Sequence, residues 1–550
     1  MWVLLVLMLM AQMGMAKAQG IRAISAAEAD RVCRTCHEKT YDSYQSTYMA
    51  NASGLAKDRV VRGSFAHQQS RVDYAIEITQ QQVALTYELK RPGAEQTKKT
   101  ERLDYFLGSG HLGTTYLYSK NGYLFETPIA YYKSIQGYAM KPGYETSNHS
   151  PTGLILTDAC LRCHMSAVQT PDAGTENHYS GLPFLHTGIT CESCHGDTGR
   201  HVSSGGKASV VNPAKLTAAR RDSVCIVCHL EGDTHVERAG RAVIDYKPGD
   251  DIREFMSYFV YAGAVNTHRA VSEIEQFSAS RCKLTSGDGM SCMTCHDVHA
   301  APAETERAAY YRGKCLGCHT GAKFAVQHHA ENPDCTSCHM PKTGAMNVAH
   351  VAWTDHRIRR VPDAAGDLEP PYGQGAEVRS LLDQTSAPDR NSGPRELGLA
   401  YYDLVTKGDA SEKAHAKALL EEAKKSGPGD IPVLRALGVL AEMDGRNTEA
   451  EQYNRALLLA DPQNLTGITN LGTLLAMRGK LEEAESLWKP AFLRNEDRVE
   501  LGRNLAIVEC ALGEGDAAKQ TLERALVYHF DEPGLRELLG AIQSGQKQCR

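Results

Sequence analysis

The chain has 550 residues, 42% of them hydrophobic and 23% charged, with a formal net charge of −6 at pH 7. That length excludes a small disulfide-stapled scaffold, and the acidic balance argues against nucleic acid as a partner. Seventeen cysteines and twenty-two histidines are where the composition departs most from the average.

The chain opens "MWVLLVLMLMAQMGMAKAQG", an apolar run followed by the small-x-small site Ala16-Lys17-Ala18. This reads as a secretory leader over residues 1–18, and the mature protein is expected to be periplasmic or exported. The run stops by Met15, short of the roughly 20 residues needed to span a bilayer, and no later stretch is long enough. The protein is therefore not expected to be membrane-spanning.

"CRTCH" follows at Cys33, Cys36 and His37. After it the texture changes. "RVDYAIEITQQQVALTYELKRPG" alternates Tyr74, Ile76 and Ile78, then Val83, Leu85, Tyr87 and Leu89, which is the pattern of a half-buried hairpin. The tyrosine- and glycine-rich stretch beyond extends this into a small β-rich insertion over about 64–140, whose tyrosines are expected to pack as an aromatic sheet.

Six more Cys-x-x-Cys-His motifs come next: Cys160, Cys163, His164; Cys191, Cys194, His195; Cys225, Cys228, His229; Cys292, Cys295, His296; Cys315, Cys318, His319; and Cys335, Cys338, His339. The seven motifs take up fourteen of the seventeen cysteines, and no Cys-x-x-Cys lacks the following histidine. Zinc knuckles use the same cysteine spacing but need no histidine beside each second cysteine. Covalent haem needs that histidine: the thiols form thioethers with the porphyrin and the adjacent imidazole is the proximal iron ligand. Seven covalently bound haem c groups are expected. Cys282, Cys510 and Cys549 remain, too scattered to be assigned a bridge.

Residues 361–395, with "EPPYGQG" and "SAPDRNSGPRE", read as a linker that closes a haem domain over 19–360. Beyond it the chain repeats. Gly438 and Gly472 are 34 apart, as are Ala450 and Ala484, and the register continues to Ala506, Ala518 and Gly540. A 34-residue period with Leu-Gly in the first helix and Ala in the second is the tetratricopeptide pattern. About four helix pairs over 396–546, with a capping helix after Pro533, are expected to stack into a solenoid. Such an array could dock a redox partner protein, or simply cover the haem domain or hold a dimer together. The fold class expected is mainly α: a helix- and loop-rich multihaem cytochrome c domain, then an α-solenoid. The oligomeric state is not legible.

With roughly fifty residues per motif, the chain cannot wrap each haem in its own apolar core, so the haems must pack against one another. A haem with two protein ligands carries electrons, and one with an open position can transform a small molecule. Thirteen histidines before Arg360 lie outside the motifs. The best placed as distal ligands are His201, His299 and His356, with His350, then His328 or His329, then His67, His111, His235 and His268.

"CESCHGDTGRH", "CMTCHDVH" and "CTSCHMPK…H…TDHRIRR" resemble the multihaem cytochromes related to cytochrome c nitrite reductase and hydroxylamine oxidoreductase, most closely the electron-transfer branch that carries C-terminal tetratricopeptide repeats. The resemblance implies bis-histidine haems for most of the set, with His201, His299 and His356 at distal positions. It also has departures. There is no Cys-x-x-Cys-Lys, as the nitrite reductases have, and neither an eighth haem nor a tyrosine cross-link is identifiable. Where relatives place a histidine after the first motif, "YQSTYMA" has Met49, either a distal ligand or a core methionine. The function expected is electron relay along closely packed haems, more than an oxidoreductase with its own substrate. The alternative is a reductase or oxidase of a small nitrogen or sulfur compound at one open haem.

Overall fold

The computed structural model describes residues 22–79, 82–90, 97–145, 153–156, 158–261, 269–321, 334–345, 347–360, 381–383 and 393–550. The expected leader, most of the expected linker, and His268, His328 and His329 lie outside the described residues.

Alternation builds the β region. Strands Val72–Thr79 and Gln82–Leu89 pair antiparallel from Thr79–Gln82 to Val72–Leu89, as the hairpin pattern predicts. Val72, Tyr74, Ile76, Leu85 and Tyr87 turn inward and are buried, while Ile78 at the hairpin end is exposed. With Gly63–His67 and Thr97–Arg102 they form a four-stranded meander. A seven-stranded sheet lies against it, centred on Gly113–Lys120, which pairs with Tyr105–Leu107, Tyr123–Glu126 and Ile129–Tyr132. Tyr74, Tyr87, Tyr116, Tyr118, Phe125 and Tyr138 fill the space between the sheets. These tyrosines are core, packed among the aliphatic and other aromatic side chains of the two sheets.

The expectation of a mainly α chain is met in part. Helix predominates, but sheet extends well beyond one small insertion. Ile24–Ser25, Phe184–Thr187 and Met165–Val168 form a sheet next to the second and third motifs. Thr234–Glu237, Met256–Tyr261 and Leu381–Asp383 form another, so part of the stretch read as a linker is a strand. These strands are only two to six residues long, too short for alternation to reveal them.

From Pro394 the chain is helical. Pro394–Thr406 pairs with Lys413–Ser426, Ile431–Met443 with Asn447–Ala460, Leu465–Met477 with Leu481–Phe492, and Val499–Ala511 with Gly515–Tyr528; Pro533–Gln543 packs against the end. Ala450, Ala484 and Ala518 are fully buried where paired helices cross. Gly445, Gly479 and Gly513 end the first helix of successive pairs at φ of 68°, 76° and 85°, a left-handed conformation that favours glycine. Gly472 has no room for a side chain, because a Cβ there would overlap the Trp488 indole. Cys510 and Cys549, left unassigned from sequence, form a disulfide that ties the C-terminal tail to the helix Val499–Ala511.

The array is docked on the rest of the chain at both ends. Thr234 donates to Asp403 at 2.6 Å, Tyr261 to Asp409 at 2.8 Å, and Arg395 to the Glu237 carbonyl at 2.8 Å. At the far end Tyr123 Oη donates to the Arg494 carbonyl at 2.8 Å and accepts from the Glu496 amide at 3.0 Å. Phe530 stacks on Tyr87 at 5.4 Å there, and Arg498 pairs with Glu176 at 2.9 Å. Among the described residues no helix is long and apolar enough to cross a membrane.

Candidate functional site

Each Cys-x-x-Cys-His sequence lies in, or at an end of, a short helix. A helical turn places residues three apart on one face, so both sulfurs of a motif point the same way. Cys33–His37 lies in Arg31–Tyr44, which kinks at His37 (φ −115°, ψ 40°). The second and fourth motifs close Asp158–His164 and Ala218–His229. The third and fifth form the single turns Glu192–His195 and Cys292–Cys295, the latter held by a reciprocal Ser291–Thr294 capping box. The sixth starts at Cys315 near the end of Arg307–Leu316. The seventh is Cys335–His339, where the Asp334 carboxylate accepts from the Thr336 and Ser337 amides. The fourteen motif cysteines are half-buried or exposed, and none is in a disulfide.

Among the described residues, three motif histidines face a second imidazole. His37 and His201 have ring centres 6.3 Å apart, His195 and His299 6.0 Å, and His296 and His356 6.3 Å. Face-to-face stacking would be much closer. Two imidazole nitrogens on opposite sides of one metal, each about 2 Å from it, would put their ring centres about 6 Å apart.

Hydrogen bonds fix the tautomers. His195 Nδ1 faces the Val211 carbonyl at 2.8 Å, His201 Nδ1 that of Ala208 at 2.6 Å, His339 Nδ1 that of Arg359 at 2.6 Å, and His356 Nδ1 that of Thr354 at 2.8 Å. A carbonyl only accepts, so Nδ1 carries the hydrogen and Nε2 keeps its lone pair for a metal. Burial lowers the pKa of His164 and His299, and burial first, then the neighbouring imidazoles of His356 and His229, brings His296 down to about 4.

Motifs distant in sequence meet through their sulfurs. Cys33 and Cys191 lie within 4.8 Å of each other and of the buried Asp30 carboxylate, which accepts from the Cys191 amide at 3.1 Å. Cys163 adjoins Cys228, Cys225 adjoins Cys292, and Cys315 adjoins Cys335.

These observations fit covalently held haem: paired thiols on single helical turns, an imidazole behind each pair, and three pairs of opposed imidazoles at the separation expected of two ligands on opposite sides of one metal. Burial agrees. Residues 281–360 carry three motifs, yet among those described none is a buried apolar side chain. Bound there, porphyrins would supply the core that the side chains do not.

The other described distal candidates are not brought opposite a motif histidine. His67 departs from the expectation: Ser70 Oγ lies 2.6 Å from its Nδ1 and the Glu145 carbonyl 3.0 Å from its Nε2, so both nitrogens are engaged. His111 lies against the Tyr48 ring at 4.6 Å. His235 is half-buried in Thr234–Glu237, 5.9 Å from the Tyr258 ring. His350 has φ 62° and lies against Tyr132. Met49 is half-buried after the first motif helix, its carbonyl accepting from Ala52 and Ile189. Sequence reasoning missed Asp30 and also Tyr311, whose hydroxyl is 3.1 Å from His296 Nδ1. Nothing in the order of residues ties Tyr311 to a histidine fifteen positions earlier.

A family model described as cytochrome c554 and c-prime matches residues 132–196, which include the second and third motifs. Multiheme cytochrome MtrA of Shewanella baltica (strain OS185) is 24% identical over 208 residues, 36% of this chain and 49% of that protein. The chain thus spans about half the length of the curated relative it matches. Over the repeats, a thermophilic TPR protein of Thermus thermophilus is 25% identical across 27% of this chain and 82% of its own, with a TM-score of 0.23. Pseudomonas aeruginosa PilF is 22% identical across 28% and 71%, with a TM-score of 0.26. The matches to cytochrome c554 and MtrA support a multihaem c-type cytochrome with covalently bound haem c.

Proposed function

We propose that the chain is an exported heptahaem c-type cytochrome that relays electrons along a row of haems and docks a redox partner through its helical repeats. The observation that carries this reading is the set of three opposed imidazole pairs at 6.0–6.3 Å. Bound haem would supply reversible one-electron chemistry, and His37 with His201, His195 with His299, and His296 with His356 are the residues that would hold it. The residues' own work is structural: the carbonyls of Val211, Ala208, Arg359 and Thr354 orient the imidazoles and fix their hydrogens on Nδ1. The sulfur contacts join motifs one and three, motifs two, four and five, and motifs six and seven into three groups, which supports close packing of haems within each.

The Cys510–Cys549 disulfide suits an oxidising compartment outside the cytoplasm, as does the leader-like start of the sequence. Leu459, Leu493 and Val527, exposed and spaced at the repeat interval, favour use of the array for docking. Haem content measured with electron paramagnetic resonance of the oxidised protein tests the reading. Seven haems with only low-spin signals are expected.

A second reading, reduction or oxidation of a small nitrogen or sulfur compound at one open haem, is favoured by the setting of His111. Burial, then the charges of Lys342, Lys133 and Arg307, hold its pKa below the usual value beside the exposed Tyr48. A substantial high-spin ferric signal would select this reading, with nitrite, hydroxylamine and sulfite as the compounds to try.

A further inference from the structure

The proximal histidine of the fifth motif differs from the others whose Nδ1 partner is defined. His195 and His339 each face a backbone carbonyl. His296 Nδ1 instead faces the phenol of Tyr311 at 3.1 Å, with ring centres 5.6 Å apart and planes 70° from parallel. Tyr311 lies on the helix Arg307–Leu316, which carries Cys315 of the sixth motif four residues later. The contact therefore joins the iron-binding residue of one motif to the attachment helix of the next.

We infer that Tyr311 is a positioning residue for His296 that sets the reduction potential of the haem on Cys292 and Cys295 above that of the haems whose proximal histidine donates to a carbonyl. This rests on the proposed haem assignment. With Nε2 on iron, Nδ1 carries the hydrogen and the phenol oxygen accepts it. A stronger acceptor at Nδ1 makes the imidazole more basic and stabilises ferric iron, which lowers the potential. A phenol oxygen accepts more weakly than an amide carbonyl, so this haem is held higher. A peptide carbonyl has no rotatable side chain behind it, whereas the phenol holds its place only through the helix that bears it. The sixth motif's attachment is thereby coupled to the ligand field of the fifth.

The test is a spectroelectrochemical reductive titration of the complete purified protein as wild type, Tyr311→Phe and Tyr311→Gln, with haem content and peptide masses measured on each sample. Tyr311→Phe removes the acceptor, and one titration step is expected to move to higher potential while the others stay. Tyr311→Gln supplies an amide carbonyl, and the same step is expected to move to lower potential. Titrations that superimpose on wild type for both variants, at full haem content, would overturn the inference. So would a uniform displacement of all steps, which would mark a general structural change. If the peptide bearing Cys292 and Cys295 carries no haem in the wild type, the haem assignment itself fails and the inference falls with it; full occupancy with no displaced step refutes the role of Tyr311 alone.

Discussion

His195 and His299 face one another with ring centres 6.0 Å apart and planes 10° from parallel, although His201, six residues after His195, is much nearer in sequence. His201 faces His37 of the first motif instead. The pairing is staggered: the segment behind the third motif serves the first, that behind the fifth serves the third, and His356, beyond the seventh, serves the fifth. On the proposed haem assignment, each segment would be held by a haem attached elsewhere. Short stretches with little apolar core become interdependent, and they are expected to order together as haem is attached.

The stagger predicts the effect of removing one distal ligand. His299→Ala should leave haem content unchanged and convert one low-spin ferric haem to high-spin, with carbon monoxide binding to one haem after reduction. Electron paramagnetic resonance with a carbon monoxide titration reads both. An unchanged low-spin spectrum would mean that His299 does not ligate. His67→Ala, which removes a ring already hydrogen-bonded on both nitrogens, should leave the spectrum as it is.

How far the sequence reveals this arrangement depends on whether a signal is local. The seven motifs and the 34-residue period are fixed spacings, and the helix pairs from Pro394 to Tyr528 follow the period closely. The hairpin Val72–Leu89 is legible because each strand runs eight residues. The sheets beside the motifs are not, because strands such as Ile24–Ser25 and Leu381–Asp383 form only where another segment offers an edge. Ligand pairing has the same origin. His201 and His299 stand out by closeness to a motif, but which imidazole each meets is set by the fold. Cys510 and Cys549 are 39 residues apart and follow no recognised spacing, so their bridge becomes visible only once the C-terminal tail is seen to return to Val499–Ala511.

In the repeat array, Trp488 is almost fully buried and its indole nitrogen donates to the Thr469 carbonyl at 3.2 Å. Trp488→Ala should cost about 3–5 kcal/mol of array stability, the range for deleting a buried aromatic. Gly472→Ala should cost about 1–3 kcal/mol, because the added methyl meets that indole and overpacks the site. Denaturant titrations followed by far-ultraviolet circular dichroism would show both as earlier loss of helix, with haem absorbance changing little if the array unfolds separately.

Reduction should act on one end of the molecule. The Cys510–Cys549 bridge closes a loop of 39 residues that includes Pro533–Gln543. Cys549→Ser is expected to lower the stability of that end by about 2–4 kcal/mol, the usual contribution of a disulfide. Hydrogen exchange should quicken in Pro533–Gln543 and the C-terminal tail and stay unchanged in Ile431–Ala460. Unchanged protection of the tail would mean that packing of Leu535 and Ile542 holds it without the bridge.

The seam between the array and the β region should give stability an acid-dependent component. Asp497 is 1% exposed, and its nearest ion-pair partner is Arg498 Nε at 3.7 Å, whose guanidinium also serves Glu176. Burial raises the Asp497 pKa above the ordinary 3.8, against the opposing pull of Arg498. A raised carboxyl pKa means the folded state binds its proton more tightly than the unfolded chain does. Its contribution is therefore fully present below pH 3.8 and is lost as pH rises through the higher folded value. At neutral pH the ionised, poorly paired carboxylate weakens the seam. Asp497→Asn should then raise Tm at pH 7, and the gain over wild type should shrink as pH falls through the raised folded-state pKa and wild-type Asp497 takes up its own proton. Thermal melts of both proteins across that interval, followed at the repeat helices, measure the difference directly. A lower Tm for Asp497→Asn at pH 7 would instead mean that its ion pair with Arg498 outweighs the burial of the charge.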